Sequence, residues 1–167
     1  MLRFAEFSIC GTYRYALWRI WQPEARRVLF IGLNPSTADD RSDDQTVRRC
    51  LGYARSWGFG SLALANLFAY RSTKPADLKS AVDPIGPLND LWLHRLAQDA
   101  DLIMAAWGNH GRIGQRWRQV AAMGITLYCL GMTTLGQPRH PLYLKKSLWP
   151  IRWKPELGEQ DNSPVVS

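Results

Sequence analysis

Three side chains in this sequence pair a strong hydrogen-bonding group with a local setting that can hold it still: Asn34, Asn66 and His140. Asn34 lies in Val28-Leu29-Phe30-Ile31-Gly32-Leu33-Asn34-Pro35, where four apolar residues run into a glycine and then a proline. Pro35 has no N–H and confines Asn34 to an extended or turn conformation, so the amide is presented just past the apolar run. A strand-to-loop turn braced by an Asx contact is the other use of the same residues. Asn66 closes the apolar segment Ser61 to Phe68. A buried amide without partners costs about 1–3 kcal/mol, so Asn66 is either a structural bracket or a reader of a ligand. His140 stands in Gln137-Pro138-Arg139-His140-Pro141-Leu142. An amide can position a reactant but is too weak a base to deprotonate one, which restricts the work available to the two asparagines.

The elements that must position these residues follow from periodicity. Val28–Ile31 is a continuous apolar run of the kind found in parallel strands buried on both faces. Ser61–Phe68 is a second such strand and Asp101–Trp107 a third, running into Gly108-Asn109-His110-Gly111. Ile125–Leu130 is a fourth, with its exit loop over Gly131–Leu144. Helices separate them. Asp44 can cap one beginning near Thr46, with Val47, Cys50 or Leu51, Ala54 and Trp57 at helical spacing and Gly58 as its stop. A second spans about Leu88–Gln98, and an amphipathic third runs from Arg112 to Met123 through Ile113, Trp117, Val120 and Ala121. Tyr70–Pro87 reads as loop with one helical turn near Ala76–Ser80. Phe7–Trp21 alternates with period 2, placing Tyr13, Tyr15 and Leu17 opposite Arg14, Ala16 and Trp18 in an antiparallel strand or hairpin. The alternation predicts a three-layer α/β/α sandwich with a mainly parallel four-stranded sheet in order 2-1-3-4. Asn34, Asn66, Trp107-Gly108-Asn109 and His140 then share the carboxyl edge, where ligands bind in such sheets.

Composition sets the bounds. A chain of 167 residues, 46% hydrophobic and 11% aromatic, suits one domain, expected over residues 1–153, with a disordered tail over 154–167. The 21 basic residues exceed the 14 acidic ones for a net charge of +7, and arginine dominates. Its planar fork matches phosphate, so nucleic acid is the favoured partner; a solvated helix face is the plainer reading of Arg48, Arg49 and Arg55. Cys10, Cys50 and Cys129 are isolated and offer neither zinc spacing nor a cluster set, which points to a reduced cytoplasmic protein without metal or cofactor; a monomer is expected. No apolar leader or membrane-length run is expected.

The phrases LNPSTAD, DDQTVRRC, NLFAYR, AAWG and GQPRHPLYL together resemble domain of unknown function 1643, a bacterial and phage family, over about Phe7 to Leu144. More distantly, the chain is similar to the uracil-DNA glycosylase superfamily. Its members carry a Gly-x-x-Pro turn after the first strand, an Asn ending the second, Trp-Gly after the third and His-Pro after the fourth. Here Gly32-Leu33-Asn34-Pro35, Asn66, Trp107-Gly108 and His140-Pro141 stand in that order. The resemblance implies a uracil-DNA-glycosylase-like fold and a DNA glycosylase that hydrolyses the N-glycosidic bond of a deaminated or modified base. It implies that Asn34 holds the attacking water, that Asn66 reads the base beside Gly32 and Pro35, and that His140 stabilises the departing base as a neutral donor. Ser36, Arg48, Arg49, Arg139, Leu142, Lys145 and Lys146 would contact the nucleic acid. Leu142-Tyr143 replaces the usual serine after His-Pro, leaving Leu142 as the candidate duplex wedge. Tyr53, Trp57 and Phe59 are candidates to stack on the base, and Asp39, Asp40, Asp43 and Asp44 a possible source of a carboxylate base. A hydrolase of free nucleosides or nucleotides, and a non-catalytic DNA binder, are the alternatives.

Overall fold

The computed structural model describes residues 1–155, built around one seven-stranded sheet. In chain order the strands are β1 (Leu2–Phe7), β2 (Arg14–Ile20), β3 (Arg27–Gly32), β4 (Ser61–Asn66), β5 (Leu102–Ala105), β6 (Tyr128–Cys129) and β7 (Ile151–Arg152). The helices are α1 (Gln45–Ser56), α2 (Asp77–Ser80), α3 (Asn89–Asp99) and α4 (Arg116–Ala121), with a 3-10 segment at Asn109–Gln115. Across the sheet the order is β1-β2-β4-β3-β5-β6-β7. The neighbours β4, β3, β5 and β6 run parallel, whereas β1, β2 and β7 are antiparallel additions.

The sheet is therefore larger than the four strands expected. One added strand, β1, comes from the charged alternating stretch before Phe7, whose sequence carries no buried run. β6 covers only Tyr128 and Cys129 of Ile125–Leu130 and meets β5 through one pair, Met104 with Tyr128. β5 stops at Ala105, so Trp107 lies beyond the ladder. The long helix expected over Arg112–Met123 is broken, because Ile113 is extended (ψ 122°) and Gly114 and Gln115 are left-handed (φ 57° and 54°). Only six residues of it, α4, are α-helical. Of the tail expected to be disordered, 156–167 lies outside the described residues.

Helices cover both faces. On one, Val47, Cys50, Leu51 and Ala54 of α1 pack on Val28, Phe30, Leu62, Leu64 and Met104. On the other, Leu93 and Leu96 of α3 and Trp117 and Val120 of α4 pack on Leu29, Ile31, Ile103 and Ala105. Burying each such side chain is worth about 1.5–3 kcal/mol. α1 starts where the Asp44 carboxylate accepts the Val47 N–H (2.9 Å) and ends at Gly58, whose φ of +80° a side chain would resist.

The alternation expected across Tyr13–Trp18 breaks at a bulge. Glu6 pairs with Ala16 but Phe7 with Arg14, leaving Tyr15 as the extra residue of β2. A bulge re-aims the side chains beside it. Arg14 consequently leaves the face of Ala16 and Trp18 and joins Phe30, Val47, Cys50 and Leu64 under α1.

Candidate functional site

Parallel strands place their carboxyl ends together, and at that edge of β3, β4 and β5 a cavity of about 490 Å³ opens. That volume suits a small organic ligand. Asn34, Asn66 and His140 all line it, with Gly32, Ser36 and Leu142, and Phe30, Val47, Cys50 and Leu64 form apolar wall. Pro35 is buried behind it, its carbonyl accepting the Ser72 N–H (3.0 Å).

Asn34 is fixed by its own amide. Nδ2 donates among the carbonyls of Pro35, Tyr70 and Ser72 (3.2, 3.3 and 2.9 Å), tying the β3 exit to the loop after β4. Oδ1 has no partner among the described residues, and Asn34 lines the cavity. Asn66 behaves differently. It is 7% exposed, yet no described residue hydrogen-bonds its side-chain amide, whose atoms are not sealed from the cavity. Its backbone is what is held: Asn89 Nδ2 donates to the Asn66 and Leu67 carbonyls (both 3.0 Å), and Arg116 Nε donates to Leu67 O (2.9 Å). Gly32 leaves the space the amide uses, since a Cβ there would lie 2.9 Å from Asn66 Oδ1.

His140 accepts the Leu142 N–H at Nδ1 (3.2 Å), so the neutral ring carries its proton on Nε2 as a donor. Burial lowers its pKa from the ordinary value, and the Asp44 carboxylate opposes that by a smaller amount. The charge that acts on the ring is the negative Asp44 carboxylate, so burial alone accounts for the lowering. The loop bearing His140 is pinned at both sides. Gly108 N–H donates to Pro138 O (2.8 Å), Arg49 Nε to Pro141 O (3.3 Å), and the Tyr53 hydroxyl to Lys145 O (2.7 Å). Trp107 is core, its indole N–H on Gln137 Oε1 (2.9 Å) and its ring against Gly111, where any side chain would collide with it.

The basic candidates divide. Arg48, Arg49 and Lys146 line a second, adjoining cavity of about 660 Å³ with Tyr53 and Tyr143, and Leu142 lines both. Arg139 and Lys145 are exposed and line neither. The aromatic residues considered for base stacking are all in the core: Trp57 stacks on Phe30 and Tyr53, and Phe59 lies beneath Arg26. Within the acidic loop, Asp39 accepts from Arg41 and Ser42 of its own turn, Asp43 pairs with Arg3 and Arg19, and Asp44 alone lines the first cavity. Cys50 is no nucleophile there, because burial pushes its thiol pKa far up.

A family model for proteins of unknown function, DUF1643, matches residues 14–142. The chain belongs to the DUF1643 family. No curated protein and no solved structure matches it. In this DUF1643 protein the matched stretch contains every residue lining the cavity, from Arg14 to Leu142. Among the described residues, no helix is long and apolar enough to cross a membrane.

Sequence reading missed three contributors to this DUF1643 cavity. Arg14 was assigned to the other sheet face; its signal was a cation at the start of a mostly apolar strand, a signal that Arg19 of the same strand shares. Asn89 and Arg116, which fix the Asn66 backbone, read as ordinary helix residues. Nothing in their local sequence marks them, because their partners are carbonyls 22 to 49 residues away.

Proposed function

We propose that this DUF1643 protein is a nucleic-acid-binding enzyme related in chemistry to uracil-DNA glycosylases, hydrolysing the N-glycosidic bond of a deaminated or modified base. The observation that carries this reading is the Asn66 amide, which lines the cavity, is open to it and has no hydrogen-bond partner among the described residues. An amide offers one donor and one acceptor edge, the pattern needed to read a nucleobase edge, and a ligand that displaces water from it must supply both partners.

The remaining groups fit the steps of hydrolysis. The C1′–N bond breaks with its electron pair on the base, water adds at C1′, and the proton lost by that water ends on the base or in solvent. Asn34 Oδ1, held by the three carbonyl contacts of its amide nitrogen, orients the water. Asp44, the one carboxylate lining the cavity among the described residues, takes its proton. Neutral His140 donates Nε2–H to the base as charge develops there. Arg48, Arg49 and Lys146 hold phosphates beside the cavity, and Leu142 links that groove to the site. Tyr143, 95% exposed at φ +66°, stands next to Leu142 as a second side chain able to enter a stack.

The test is incubation with single- and double-stranded oligonucleotides carrying a panel of altered bases, scored for abasic sites. Asp44→Asn keeps the helix cap, because Asn caps as well as Asp, and removes the base. It should slow excision by roughly 10²-fold or more without loss of fold. An unchanged rate would remove Asp44 from the mechanism. Binding without abasic sites on any base would make the chain a non-catalytic binder.

A further inference from the structure

We propose that the same cavity contains a phosphate subsite centred on Arg14, so that its ligand is a phosphorylated nucleotide unit rather than a bare base or nucleoside. This rests on the cavity being the functional site and adds the part of the ligand that Asn66 and His140 do not address.

Three arginines are almost fully buried, and comparison singles out one. Arg19 donates to the Asp43 carboxylate through Nε (2.8 Å) and to the carbonyls of Trp18, Asp39 and Ser42. Arg116 donates to Leu67 O, Gln119 and the Asp90 carboxylate. Arg14, 4% exposed, has one bond, from Nη1 to Ala38 O (2.6 Å). Its Nε is buried without a partner, and no carboxylate of the described residues comes within 4.0 Å of it. A buried guanidinium without a counter-ion is expensive and persists where something else supplies the anion. Burial lowers its pKa only to about 10, so it is charged at neutral pH. Among the charges acting on it, Asp44 of the same cavity is the largest and favours the charged form, Arg71 and Arg19 add positive potential, and Asp39 opposes them by less. The β2 bulge turns this side chain into the cavity, where Ser36, Thr46, Ser72 and Thr73 contribute hydroxyl-bearing wall. A guanidinium fork with hydroxyls around it matches phosphate oxygens.

The test uses probes that carry no base, so it does not depend on base excision. Wild-type protein and Arg14→Met would be titrated with deoxyribose 5-phosphate, with deoxyribose, and with a single-stranded oligomer made wholly of abasic deoxyribose phosphates. Wild type should bind the phosphate monoester or the phosphodiester chain at least about tenfold more tightly than deoxyribose, and Arg14→Met should lose that margin. Preference for the monoester identifies a free nucleotide as the source, and preference for the chain identifies a nucleic-acid backbone. In parallel, the Arg14 Nε–H resonance of the wild-type protein should shift on phosphate addition, which tests the site even if Arg14→Met fails to fold. An unmoved resonance, or a phosphate preference equal in both proteins, would overturn the proposal. Absence of excision with an intact Arg14 effect would fault the glycosylase reading and leave the subsite standing.

Discussion

At the scale of single residues, the cavity assigns its polar groups different protonation and different freedom. His140 is a neutral imidazole whose pKa lies below 6.5 because burial penalises its charged form. The unfolded chain therefore binds a proton more readily than the folded one, so the stability contributed by neutral His140 is lost as pH falls below about 6.5. Excision that needs Nε2–H on a neutral ring and an Nδ1 acceptor should be flat above that pH and decline below it, as a pH–rate profile would show. A profile rising towards acid would mean that the imidazolium is the active form. Gly32 makes a second residue-scale prediction. Gly32→Ala keeps strand geometry but pushes on the Asn66 amide from 2.9 Å, so discrimination among bases should weaken while the melting temperature changes little. Measured selectivity equal to wild type would show that Asn66 does not read the base.

At the scale of elements, α1 acts as a clamp on the loop that carries His140. The Tyr53 hydroxyl on Lys145 O, Arg49 on Pro141 O and the Trp57 indole N–H on Leu148 O (3.0 Å) join a helix to a stretch about 90 residues away. Tyr53→Phe removes one of these bonds at a cost of about 1 kcal/mol, or roughly 2–4 °C in Tm, and should slow excision by loosening His140. A lowered Tm with unchanged rate would confine Tyr53 to stability. These elements also show what the sequence could disclose. The buried run Val28–Ile31, the cap at Asp44 and the stop at Gly58 rest on local chemistry and were readable. The turn at Asn34, braced by Pro35, was readable as well. The bulge at Tyr15 was not, because it is set by the register of β2 against β1; the break at Ile113–Gln115 had a local signal in Gly114, whose left-handed backbone interrupts the helical spacing. Arg14 was misplaced because of the bulge: an extra residue in β2 inverts a period-2 reading.

At the scale of the whole molecule, a net charge of +7 and a groove bearing Arg48, Arg49 and Lys146 next to the cavity favour a polyanionic partner. Binding should weaken linearly in log salt, and replacing Lys146 or Arg48 should reduce the slope by about 0.9 per contact on duplex or 0.7 on a single strand. Affinity indifferent to salt would favour a small free nucleotide. The central claim is that this cavity breaks a glycosidic bond, and single-turnover excision by wild type and His140→Ala, with DNA affinity measured alongside, tests it most directly. Wild type should produce abasic sites on at least one altered base, and His140→Ala should lose roughly 10²- to 10³-fold in rate at nearly unchanged affinity. No abasic site on any base, or parallel losses of affinity and rate, would contradict it.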